Sequence, residues 1–128
     1  MNLADTILSS GEDASIAVAL SGTQLTYGEL RAKVAQTAGE LLVAGLKRGE
    51  CVGLLSENNP FWVVSYLAII RAGLVVVPIQ YGSDPENFRA IVSDTQMRMV
   101  LVSNRFSAKV SNWVGAPQVG TLSTASPN

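Results

Sequence analysis

Few residues in this 128-residue chain are of a type and spacing that could do chemistry, and histidine is absent altogether. Cys51 is the only cysteine. That inventory excludes a Ser-His-Asp or Cys-His apparatus, a Cys/His zinc site and an intramolecular disulfide. Cys51 opens an apolar run, Cys51-Val52-Gly53-Leu54-Leu55, where a small buried hydrophobe is expected rather than a reactive thiol. Glu57, followed by Asn58 and Asn59, invites an acid/base reading, but no second titratable group accompanies it, so helix capping is the expectation. Two hydroxyl-rich stretches have the letters of a phosphate loop. Ser21-Gly22-Thr23 lies between strand-like runs and is read as a hairpin turn. Thr121 to Pro127 has neither the glycine that allows close backbone approach nor a lysine. Gly45, Gly49 and Gly53 fall on a helix cap, a turn and a strand, so they are no dinucleotide fingerprint. Gln80 and Tyr81 leave a strand where ligands of parallel sheets usually sit, and a loop-packing role is expected of them.

The elements that would position these residues are legible in the apolar pattern. Ser15 to Leu20 reads as a strand, and the turn at Ser21-Gly22-Thr23 folds it back onto Gln24-Leu25-Thr26. Thr26 and Glu29 have capping-box spacing, and Leu30, Val34, Ala38, Leu41 and Leu42 then recur at helical intervals until Gly45. Cys51 to Ser56 has no polar alternation, as in a strand covered on both faces. Asn58 or Asn59 caps a second helix with Pro60 in its first turn, and that helix is apolar nearly all round, so it should be central. Gly73 ends it, and Leu74 to Ile79 is expected as a second inner strand beside Cys51 to Ser56, with Pro78 marking the end of pairing. Asp84-Pro85 opens a third helix with Phe88, Ile91 and Val92 inward, Met99 to Ser103 is a third buried strand, and a weaker helix spans Arg105 to Val114. A short strand candidate lies around Val119. The alternation predicts an α/β fold with a mainly parallel sheet and helices on both faces.

Composition bounds the partners. Hydrophobic residues are 48% of the chain and charged ones 15%, more apolar than one domain of this size needs. Some apolar surface is therefore expected to face a partner or further chain, with the all-round apolar helix from Phe61 to Ile70 short of packing. A net charge of −1 gives no footprint for nucleic acid. Phe61 to Ile79 is hydrophobic enough to suggest a membrane span, but Arg71, Gly73 and Pro78 interrupt it, so no membrane span is expected. Met1 to Asp5 lacks the pattern of a secretory signal, and the expected location is the cytoplasm.

Two short stretches carry a resemblance. Leu25-Thr26-Tyr27-Gly28-Glu29-Leu30 and, further on, Arg71-Ala72-Gly73 with Pro78-Ile79 occur in order, with Gly49, Asn58, Asn59, Pro60 and Trp62 between. Together they resemble the N-terminal part of the AMP-forming ligases, the adenylate-forming or acyl-CoA synthetase superfamily. Val75-Val76 and Gln80 depart from the Ala-Tyr and Asp common in amino-acid-activating members and look more like acyl- or aryl-CoA synthetases. The resemblance implies a fold equivalent to the first subdomain of the large N-terminal domain of those enzymes, over residues 1–114, with 115–128 a weakly ordered tail or the start of the remainder. It also implies a two-step reaction. A carboxylate attacks the ATP α-phosphate to give an acyl-adenylate and pyrophosphate, and a thiol of CoA or of a carrier protein then takes the acyl group.

The complete family enzymes cradle phosphates with a Ser/Thr/Gly-rich loop ending in Pro-Lys, bind ribose through an Asp, hold magnesium through a Glu and use a Lys from a mobile C-terminal domain. None of those motifs occurs in these residues. The expectation is a piece of an acid-activating enzyme that is inactive alone. No catalytic, cofactor-binding or metal-ligating residue is assigned, and ATP and Mg belong to the complete enzyme. The expected partner is the remainder of the ligase or a second copy of the chain. A non-catalytic module that completes or regulates a separately encoded ligase is the alternative.

Overall fold

The computed structural model describes residues 3–9, 16–20, 22–80, 82, 84–106 and 120–122. Strands β1 (Ile16–Leu20) and β2 (Thr23–Thr26) pair antiparallel as the expected hairpin. The capping box then forms at both of its bonds: Glu29 N–H donates to Thr26 Oγ1 at 3.1 Å, and Thr26 N–H donates to Glu29 Oε1 at 2.9 Å. This starts α2 (Tyr27–Val43), whose buried stripe is Leu30, Val34, Thr37, Ala38 and Leu41. Leu42, expected inward, is 52% exposed, and Val43 beside it is 90% exposed. A helix turns about 100° per residue, so Leu42 follows Leu41 away from the core. Gly45 at φ 92° ends the turn.

Strand β3 (Cys51–Leu55) leads to α3 (Pro60–Arg71), capped by Asn59 with Pro60 in the first turn. Strand β4 (Val75–Pro78) follows, then α4 (Pro85–Thr95), β5 (Met99–Val102), a short 3-10 turn (Asn104–Phe106) and β6 (Gly120–Leu122). The sheet is parallel in the order β4-β3-β5-β6. The α/β class and the parallel sheet stand as expected. Of the weaker helix expected over Arg105 to Val114, Asn104–Phe106 is a 3-10 turn and 107–114 lie outside the described residues. The strand candidate near Val119 is β6, within the segment 115–128.

Two apolar layers sandwich the sheet. Val52, Leu54 and Leu101 join α1 (Leu3–Leu8), α2 and α3 on one face, while Leu55, Val100 and Val102 join Phe88, Ile91 and Val92 of α4 on the other. Gly53 is where the second layer comes closest, since a Cβ there would meet Ile79 Cδ1 and Met97 Sδ at 2.9 Å.

Two expectations need correction. Leu74 to Ile79 is a neighbour of β3, but among the described residues it is not an inner strand: β4 is the terminal strand of the sheet, its burial pattern is open at both ends, and Val75 is 47% exposed. An edge strand with an apolar sequence reads like a central one because each face is still partly covered. Nor is α3 short of packing. Helix α1, which was not foreseen, lies on it with α2 and the hairpin, and Phe61, Val64, Leu67, Ala68 and Ile69 are buried. Among the described residues the exposed large hydrophobics are Leu42, Val43 and Val75.

Candidate functional site

The chain leaves β3 for β4 on one side and then crosses to β5 on the other, so the carboxyl ends of β3 and β5 flank the topological switch point. In open parallel sheets ligands bind there. The residues at this point are Ser56, Glu57 and Asn59 after β3, and Ser103 and Arg105 after β5. Ser103 N–H donates to Leu55 O at 3.1 Å, which carries the pairing of β3 and β5 to the rim.

Ser56, Glu57 and Asn59 are bonded to one another. The single proton of the Ser56 hydroxyl faces Glu57 O at 2.8 Å, Asn59 Oδ1 at 3.1 Å and Glu57 Oε1 at 3.2 Å. Asn59 Nδ2 donates to Glu57 Oε1 at 3.1 Å, and Asn59 Oδ1 accepts from Trp62 N–H at 3.0 Å. Glu57 Oε2 faces Arg105 at 3.9 Å. The arrangement fixes the first turn of α3, where amide groups otherwise lack partners. Asn59 rather than Asn58 is the cap, and Glu57 holds its side-chain amide. Ser103 is fully buried and its hydroxyl has no hydrogen-bond partner.

Beside this rim a cavity of about 430 Å³ lies between the end of β4 and the start of α3, lined by Ser56, Asn58, Trp62, Ile79 and Gln80 among others. Trp62 stacks on Tyr66 at 5.0 Å between ring centroids, giving the cavity an apolar wall. Gln80 is exposed at its mouth, and Tyr81 lies outside the described residues. At the opposite rim a hollow of about 510 Å³ is lined by Lys47, Glu50, Cys51 and Arg98, where the Arg98 guanidinium is already paired with Glu50. Cys51 is half-buried at the start of β3 and packs with the α4 layer. Among the described residues no cluster of three or more His, Cys, Asp or Glu side chains is placed to hold a metal. Among the described residues the rim is thus a set of polar groups around the first turn of α3, beside an open cavity.

The signature residues have structural work here. Thr26 and Glu29 make the cap, and the Arg31 guanidinium lies over the Tyr27 ring at 5.6 Å while its Nε donates to Leu8 O at 2.6 Å. Gly73 has φ 80°, a conformation that L side chains rarely adopt, and its carbonyl accepts from Gly49 N–H at 2.9 Å. Arg71 stands in the last turn of α3, where a cation meets the negative end of the helix.

The sequence model of the AMP-binding enzyme family matches residues 9–127. The chain belongs to that family. It is 32% identical over 111 residues to the 3-hydroxybenzoate–CoA ligase of Aromatoleum sp. (strain CIB), covering 84% of this chain and 21% of the ligase. It is 34% identical over 96 residues to surfactin synthase subunit 2 of Bacillus subtilis (strain 168), covering 75% of this chain and 3% of that subunit. Among solved structures, the nonribosomal peptide synthetase FmoA3 in its alpha-methyl-L-serine-AMP bound form superposes with a TM-score of 0.87 at 21% identity over 96% of this chain and 14% of that one. The apo form of MatB from Rhodopseudomonas palustris gives 0.74 at 26% identity, over 96% of this chain and 26% of that one. The fold is that of the N-terminal region of acyl-CoA synthetase-like ligases, and the chain spans only a small part of each of these relatives. Both CoA ligases and peptide synthetases stand among them, so the departures at Val75, Val76 and Gln80 do not by themselves separate the two classes.

Among the described residues no helix is long and apolar enough to cross a membrane; the apolar run from Phe61 to Ile79 resolves into α3 and β4.

Proposed function

We propose that these residues are the N-terminal part of an ATP-dependent carboxylic acid-activating ligase, which forms an acyl-adenylate and passes the acyl group to CoA or to a carrier-protein thiol. The observation that carries this is the family match over residues 9–127 together with the small share of each relative that the chain spans. Residues 1–114 form the partial domain, and 115–128 lead toward the remainder. The chain does not adenylate alone, because the phosphate-loop, ribose, magnesium and lysine motifs of the family do not occur in these residues. ATP and Mg bind the complete enzyme, whose reaction on ATP we set in the cytoplasm. The part played by this chain is to support, through the carboxyl ends of β3 and β5, the segment that holds the nucleotide.

A second reading is a separate non-catalytic module that completes or regulates a ligase made elsewhere. It is favoured by the cover that α1, α2 and the hairpin give to α3, which lets these residues close that core themselves. Two measurements test the proposal. ATP–pyrophosphate exchange by the purified chain with a panel of carboxylic acids is expected to stay at the blank, and acid-dependent exchange overturns the claim of inactivity. Reading the coding DNA past codon 128 is expected to show an open frame with a Ser/Thr/Gly-rich loop ending in Pro-Lys. A stop codon there favours the module.

A further inference from the structure

Among the described residues the outer edge of β4 carries no further strand, and it is apolar, partly exposed and uncharged: its sequence is Val-Val-Val-Pro, and Val75 is 47% exposed. Such an edge is a template for another strand, and natural proteins guard theirs with charges, bulges or proline. The hydrogen-bond pattern shows which groups are on offer. Val75 N–H donates to Glu50 O and Ile79 N–H to Leu54 O, both at 2.9 Å, so by the two-residue period Val77 also faces β3. Val76 and Pro78 are then the residues whose main-chain groups point away from the sheet. Pro78 has no N–H to offer.

We infer that Pro78 guards this edge against pairing with a second copy of the same chain. A two-fold antiparallel pairing of β4 with itself, centred on Val77, would place position 76 of one copy against position 78 of the other and exchange bonds in both directions. Every bond that needs position 78 as donor is deleted, which is half of the set. What remains is a donor at Val76 alone, too little to order two chains. This explains on physical grounds why an apolar strand at the edge of these described residues ends in proline.

Sedimentation of the 128-residue chain over a concentration series is the test, comparing the parent with Pro78→Val and Pro78→Ala. Each substitution restores an outward N–H, and association is expected at an about tenfold lower concentration, the effect of recovering two hydrogen bonds of modest net strength. Adding Val76→Lys to Pro78→Val is expected to return the parent's behaviour. Folded variants that keep the parent's concentration dependence, or association that survives the added lysine, overturn the inference. Should neither variant fold, amide exchange in the parent decides. Val76 N–H is expected to exchange rapidly and Val77 N–H slowly, and equal protection of the two overturns it.

Discussion

Arg98 grips Glu50 with two nitrogens, Nε to Oε2 at 2.9 Å and Nη2 to Oε1 at 2.7 Å, and the same Nη2 reaches Gly45 O at 3.3 Å. One side chain thereby ties the start of β5 to the approach of β3 and the end of α2. The Arg98 guanidinium, followed by the Lys47 amide, holds the Glu50 carboxyl below its ordinary value. Folding therefore lowers its proton affinity, so the unfolded chain takes up the proton first as pH falls. The contribution is complete above the ordinary carboxylate range and is lost as pH drops through the depressed folded value. The melting-temperature difference between the parent and Glu50→Gln is expected to be positive at neutral pH, to vanish in strong acid, and to shrink with added salt because the pair is exposed. A difference independent of pH would contradict the assignment.

The edge placement of β4 predicts a contrast between two aspartates. Val52 is fully buried in the central strand, so Val52→Asp buries an unpaired charge and is expected to cost more than about 3 kcal/mol. Val75→Asp sits at an exposed edge and is expected to change stability by less than about 0.5 kcal/mol. Urea unfolding of both variants checks this, and equal losses would return β4 to the interior.

Gly73 is held at φ 80°, and a Cβ there would stand 3.2 Å from Arg48 Cγ. Gly73→Ala is expected to lose about 1 kcal/mol, from the backbone conformation first and from displacement of Arg48 second. Thermal melting should fall by a few degrees, with far-UV dichroism unchanged.

Ser65 lies fully buried within α3, with a hydroxyl that has no hydrogen-bond partner. Replacing it by alanine removes a desolvated polar group and improves helix propensity, so Ser65→Ala is expected to gain about 1 kcal/mol. A loss of stability in chemical denaturation would show that the hydroxyl is satisfied.

How much could be read before the structure follows from the range of each interaction. The capping box at Thr26 and Glu29, the proline after Asn59 and the glycine after Ala72 are local, each fixed by a few neighbouring residues, and each was legible as a pattern. The same locality made the family resemblance visible, since its signatures are helix and strand boundaries. Helix α1 was not legible. Its six residues are too short to be helical alone, and what orders them is burial of Ala4 and Leu8 against α3 and the bond from Arg31 to Leu8.

At the candidate site, sequence identified Glu57, Asn58 and Asn59 as capping residues and Gln80 as a strand exit, but not their company. Ser103 and Arg105 reach the same rim from far along the chain, and no spacing in the sequence announces that. Only the sheet order, with β5 returning to the far side of β3, brings them together.

By itself the sequence determined most of the elements, the α/β class and the family, because periodicity, caps and breakers act over one or two turns of chain. Tertiary structure decided which strand became the edge, which apolar helix found cover and which polar groups share the switch point. Those outcomes depend on the order in which parallel strands pair, and that order follows from burying both faces of β3 and β5 at once rather than from any residue's preference.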